Sequence, residues 1–393
     1  MPQSSTKNAL ATQPLAGVRV LDFTRVLAGP YCTALMADLG ADVIKVESAH
    51  GDDYRHIGPF EQGESLLFQA INRGKRSISL DLKSQADLAT IKALLAQTDV
   101  LVENFRPGVM AKLGLDYETL RTDFPALVYV SVSGFGQTGS NATKPAYDII
   151  IQAMSGLMDV TGEPDGTPTM VGEAFGDVAG GLFAAWGAMV ALFDRSRTGV
   201  GRYVDVALFD ALTSMMPILA CRTLMGGTSP TRTGNRHSLS APFGTYPARD
   251  GHFAVAVLND RLFATFAEVI GQPDLAVDPR FVTDPLRREN EPELALKIAH
   301  WAETRSVSEV VSSLETAGVP ASAIQSVAQA WASPQAVERG LASEVIHPVL
   351  GRLSVPEQPV QFSGAARGGR SAAPRLNADA ADILAELAQG ETK

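Results

Sequence analysis

The sequence predicts an α/β protein: a large domain built on a doubly wound, Rossmann-like parallel sheet, joined to a smaller α+β domain. Short apolar β-rich runs alternate with amphipathic helical patterns through the first third of the chain. A stretch rich in Gly, Ser, Thr, Pro and Arg over residues 222–245 breaks that rhythm. Beyond it a hairpin pattern and three helical patterns take over.

Residues 1–14 are polar, lack a basic-then-apolar signal pattern, and read as a disordered leader. Strands are expected over residues 18–23, 42–46, 78–82, 100–104 and 127–133, with helices over 31–39, 85–97 and 117–124. The first strand-to-helix turn, residues 23–30, lacks the spaced glycines of a dinucleotide fingerprint, which disfavours an NAD-dependent dehydrogenase. It still suits close backbone approach by a ligand.

A long apolar helix follows Gly172. Leu182, Trp186, Met189, Val190 and Phe193 recur at helical spacing and predict a core-facing stripe. Asp177 then stands at the amino end, exposed and ionised, where an aspartate also suits a helix cap. The large domain is expected to span residues 15–221, with 222–245 as a linker or active-site loop and 246–330 as the small domain. Residues 331–393 return to the large domain, with short strands over 351–356 and 359–363 and a terminal helix near 378–387.

The 393 residues carry a net charge of −10 and no Lys/Arg-rich run, which argues against nucleic acid and anionic membrane as partners. The longest apolar run, residues 178–193, falls short of the roughly 20 residues a bilayer span needs. Cys32 and Cys221 lie too far apart in sequence for a disulfide framework or zinc site, which fits a reducing cytoplasm. The six histidines form no metal-ligand spacing, so no metal is expected.

Several motifs in order carry a resemblance across nearly the whole chain. They are Thr24-Arg25-Val26-Leu27-Ala28-Gly29-Pro30, the run from Ala37 to Glu47, Asn72-Arg73-Gly74-Lys75-Arg76-Ser77, Val102-Glu103-Asn104-Phe105-Arg106-Pro107-Gly108, and the glycine-flanked Asp177. Together they resemble family III CoA-transferases, and most of all the succinyl-CoA:glutarate type. The resemblance implies an interlocked homodimer whose active site lies between domains, with acyl-CoA and a carboxylic acid as substrates and no tightly bound cofactor. It implies that Asp177 is the nucleophile, that Val26 and Ala28 contact CoA, that Lys75 and Lys112 face its phosphates, and that Asn104 and Phe105 line the nucleotide pocket.

Leu27 stands where formyl-CoA transferases carry a glutamine, and their run of glycines has no counterpart, which points away from oxalate. A short dicarboxylate needs a cation for its distal carboxylate, and Arg25 and Arg55 are the candidates. Two alternatives remain: an α-methylacyl-CoA racemase and a non-catalytic acyl-CoA-binding subunit. The racemase requires a base where this chain has Tyr147, and a phenol with an ordinary pKa near 10 serves that role poorly, which leaves Tyr147 a hydrogen-bonding or packing residue and a candidate for substrate binding.

Overall fold

The computed structural model describes residues 13–390, so residues 1–12 of the expected leader lie outside the described residues. Gln13 is placed, its side-chain amide donating to the Ala366 carbonyl at 2.7 Å. The chain divides into two compact units. One comprises residues 13–157, 170–226 and 334–390; the other comprises Met158–Thr169 with Gly227–Ser333.

The first unit carries the expected parallel sheet. Its strands are β1 (Arg19–Asp22), β2 (Asp42–Glu47), β3 (Lys75–Ser79), β4 (Val100–Glu103), β5 (Val128–Ser133) and β6 (Tyr203–Ala207), in spatial order β3-β2-β1-β4-β5-β6. Every neighbouring pair runs parallel. The helices used below are α1 (Ala28–Asp38), α2 (Gln85–Leu95), α3 (Tyr117–Asp123), α4 (Asp148–Met154) and α5 (Phe175–Thr198).

Alternation along the strands divides the core between two faces. Val20, Val43, Val100, Val102, Val128 and Val130 meet α1 and α5 through Cys32, Met36, Ala184 and Ala188. Leu21, Ile44, Leu101 and Tyr129 point the other way, onto Ile91, Leu94 and Leu95 of α2 and Leu120 of α3. Helices therefore cover both faces of the sheet.

The long helix corrects one expectation. Leu182, Trp186, Val190 and Phe193 are 50%, 62%, 49% and 66% exposed in the single chain, and only Met189 of the expected stripe packs on the core. The buried face is made of small residues: Ala179, Gly180, Gly181, Ala184, Ala185, Ala188 and Ala191. Close approach explains the choice. A Cβ on Gly181 would lie 2.5 Å from the Ala28 carbonyl oxygen, and one on Gly180 would collide with Leu208. Large side chains cannot occupy that face, so they collect on the opposite one. The helix is also longer than the apolar run suggests, at 24 residues, because it starts at Phe175, ahead of Asp177, and continues through a polar last turn to Thr198.

The second unit holds an antiparallel sheet of β7 (Phe243–Ala248), β8 (Gly251–Ala256) and β9 (Ala321–Ala323), with the expected hairpin joining the first two. Its core gathers Phe253, Phe263, Phe266, Phe281 and Trp301. Beyond it β10 (Ala342–His347) pairs with β11 (Gly351–Pro356), while residues 359–363, expected as a strand, form none. Gln358 instead folds back on the Val360 backbone. The terminal helix α6 (Ala380–Gly390) returns to the first unit's core through Ile383 and Leu387.

Candidate active site

Ligands of open α/β sheets gather where the strand order reverses, because loops leaving neighbouring strands diverge there. Here the reversal lies between β1 and β4. The loops after β1, β4 and β5 line a cavity of about 190 Å³ with Arg25, Val26, Ala28, Asn104, Phe105, Arg106, Ser133 and Gly134, together with Asp53, Lys144, Tyr147 and Asp177. Six of the expected site residues other than Asp177 thus come together around it.

The turn after β1 is held in an uncommon shape. Val26 has φ +69°, a left-handed conformation that a β-branched residue rarely adopts. Asn104 grips the residue before it, accepting from the Arg25 N–H at 3.0 Å and donating to the Arg25 carbonyl at 2.7 Å. Its amide is occupied with the protein backbone. The Arg25 side chain is half-exposed, loosely paired with Asp53 at 3.5 Å and lying 5.8 Å from the Phe105 ring centroid.

Asp177 sits in the first turn of α5, not at its cap, which is Ala174. The expectation of an exposed, ionised carboxylate is corrected: the side chain is partly buried, and burial, with Asp148 adding to it, pushes its pKa up to about 7. A helix N-terminus favours the carboxylate, but lost hydration outweighs that here. Asp148, the first residue of α4, accepts from the Gly176 N–H at 2.7 Å and from Gln152 Nε2 at 2.7 Å, fixing the approach of α4 to the start of α5. Burial, and then Asp177, raises the Tyr54 phenol to about 12, which keeps it a hydrogen-bond donor.

Three expected residues lie elsewhere. Lys75 does not face the cavity: its ammonium is fully buried, 3.0 Å from Asp22, 2.8 Å from Asn72 Oδ1 and 3.1 Å from the Pro30 carbonyl. Burial lowers its pKa to about 8. Arg55 is taken up by Glu47 in a two-pronged pair at 2.8 and 2.7 Å, with the Pro374 carbonyl holding its third nitrogen. Lys112 is exposed at the end of the short helix Val109–Lys112, outside the cavity lining.

Sequence reasoning passed over Asp53, Arg106, Lys144 and Asp148. The signal was adjacency: Arg106 follows Asn104-Phe105, and Lys144 stands three residues before Tyr147. Arg106 and Lys144 are both exposed and line the cavity, whereas Lys75 does not. Among the described residues no group of three His, Cys, Asp or Glu could hold a metal ion.

The chain as a whole is similar to known proteins. A family model described as CoA-transferase family III matches residues 15–380. An acetyl-CoA:oxalate CoA-transferase of Acetobacter aceti is 41% identical, covering 99% of this chain and 100% of its own. A human succinyl-CoA:glutarate CoA-transferase is 36% identical over 98% of this chain and 88% of its own. Among solved structures, a CAIB/BAIF family protein from Brucella suis superposes with a TM-score of 0.85 at 39% identity, covering 96% of this chain and 100% of that one.

Proposed function

Because the chain belongs to CoA-transferase family III, we propose that it passes CoA from a short acyl-CoA such as succinyl-CoA to a short dicarboxylic acid, through covalent intermediates on Asp177. The observation that carries this reading is the meeting of Asp177 with Val26, Ala28, Asn104 and Phe105 at one switch-point cavity.

Ionised Asp177 attacks the thioester carbonyl of the donor, forming a mixed anhydride and releasing CoA thiolate. The thiolate attacks the aspartyl carbonyl and expels the donor acid as its carboxylate, leaving an aspartyl-CoA thioester. The acceptor carboxylate attacks that thioester, giving a second anhydride and free thiolate. Attack of the thiolate on the acceptor carbonyl forms the new acyl-CoA and restores Asp177. Each step exchanges one acyl bond for another, so protons and electrons balance without a redox partner.

In this reading Val26, Ala28, Asn104 and Phe105 contact CoA, while Arg106 and Lys144 meet its phosphates through charge-assisted hydrogen bonds. Arg25, half-exposed at the cavity, takes the acceptor's distal carboxylate. Oxalate returns as an acceptor despite Leu27, since the Acetobacter relative carries oxalate in its name. Tyr147 donates a hydrogen bond at the cavity. A second copy of the chain covers the exposed apolar face of α5 in an interlocked dimer.

Asp177→Ala is expected to abolish CoA transfer with the fold and CoA binding intact. Incubating the wild type with acyl-CoA and no acceptor should add an acyl or CoA mass to the peptide containing Asp177. Wild-type turnover in the Ala variant would falsify the assignment, and CoA binding without transfer by the wild type would favour a binding subunit.

A further inference from the structure

The turn after β1 is held by a buried ion pair that the mechanism does not use. Lys45 of β2 and Asp52 are both excluded from solvent and lie 2.8 Å apart. Lys45 Nζ also donates to the Thr24 carbonyl at 2.6 Å. Asp52 Oδ1 accepts from the Val26 N–H at 3.0 Å and from the Tyr54 N–H at 3.0 Å, while the Asp52 N–H donates to Glu47. With Asn104 on both polar groups of Arg25, the Thr24 carbonyl, the Arg25 N–H and carbonyl, and the Val26 N–H each have a side-chain partner. The turn is clamped on both sides of Arg25.

A left-handed valine persists only where its surroundings enforce it. The enforcing contact on Val26 itself is the bond to Asp52, and Lys45 orients that carboxylate. A buried ion pair is weak evidence of a contribution to stability, so its place against a strained residue at the cavity calls for another account. We infer that Asp52, oriented by Lys45, is a positioning residue that holds Val26 in the left-handed conformation and thereby sets the edge of the acyl-CoA site formed by Val26, Leu27 and Ala28. This rests on the proposed CoA-transfer function of the cavity.

The test is a double-mutant cycle read in kcat and acyl-CoA KM. Asp52→Ala is expected to lower kcat/KM about 10- to 100-fold by misplacing the turn. Glycine reaches positive φ without penalty. The loss caused by Asp52→Ala should therefore shrink several-fold when measured in a Val26→Gly background. Asp52→Asn, which keeps an oxygen acceptor for the Val26 N–H, should lose less than Asp52→Ala. Should the Ala variant not fold, Asp52→Ser, which still caps Tyr54 but is too short for Val26, enters the same cycle. An equal fold-loss in the wild-type and Val26→Gly backgrounds overturns the inference.

Crystal structures separate this idea from the function on which it rests. Val26 is expected to leave the left-handed region in the Asp52→Ala or Asp52→Ser variant, whatever the activity, and a Val26 that stays there overturns the inference. A wild type inactive toward every acyl-CoA overturns only the function.

Discussion

In the proposed mechanism one proton decides whether Asp177 can act. Its carboxyl is raised to about 7 by burial and then by Asp148, so the nucleophilic form grows as pH climbs through that value. The free enzyme's kcat/KM should rise from pH 6 to 8 and level above, and Asp148→Asn should move the rise to lower pH. Stability runs the opposite way: a carboxyl raised in the fold contributes stability below its ordinary pKa near 3.8 that is lost as pH passes about 7. Asp177→Asn should accordingly raise the melting temperature more at pH 8 than at pH 4. The two arginines separate similarly. Arg25→Gln should weaken use of a diacid about ten- to a hundredfold relative to a monocarboxylate, the worth of a charge-assisted hydrogen bond. Arg55→Gln should lower the melting temperature and leave that ratio alone, because it strands Glu47, which is almost wholly buried. Equal effects of both substitutions on diacid preference would count against Arg25. Motifs made it legible in the sequence that Asp177, Val26, Asn104 and Phe105 gather at one cavity. They did not reveal that Asp22, 53 residues away, claims Lys75, or that Glu47 claims Arg55, because neither ion pair leaves a mark in a motif.

Among the elements, α5 is the one whose face the sequence obscured. Apolar periodicity marks which residues share a side of a helix but not which side is inward, and here the Gly/Ala side wins by close approach. The strands were easier to read, since runs such as Val100-Leu101-Val102 are apolar on both faces of a covered parallel sheet. β6 escaped notice because Tyr203 and Asp205 break such a run. The contact of α5 with α1 makes its own prediction. Gly181→Ala places a methyl group against the Ala28 carbonyl, backbone that cannot rotate away. Overpacking of this kind costs about 1–3 kcal/mol, to be measured by denaturant unfolding. Because Ala28 lines the cavity, acyl-CoA KM should rise as well; an unchanged midpoint and KM would mean that the two helices separate freely.

At the scale of the molecule, the apolar face of α5 and the chain's return raise the question of assembly. Threaded chains separate only through extensive unfolding, so two differently tagged native preparations, mixed under native conditions, should exchange no subunits over days. Rapid exchange would exclude an interlocked dimer. Within one chain the return is already a closure: Glu386 of α6 meets Arg19 at 3.1 Å and Arg76 at 2.7 Å, both of which also hold Asp42, while Arg370 reaches Asp38 at 3.1 Å. Arg19 and Glu386 are 367 residues apart. At a synthesis rate of roughly 5–20 residues per second, about 20–70 s pass between the emergence of one and the other. During that interval Ile383 and Leu387 are missing from their face of the sheet, and strands already made wait on α6 to cover them.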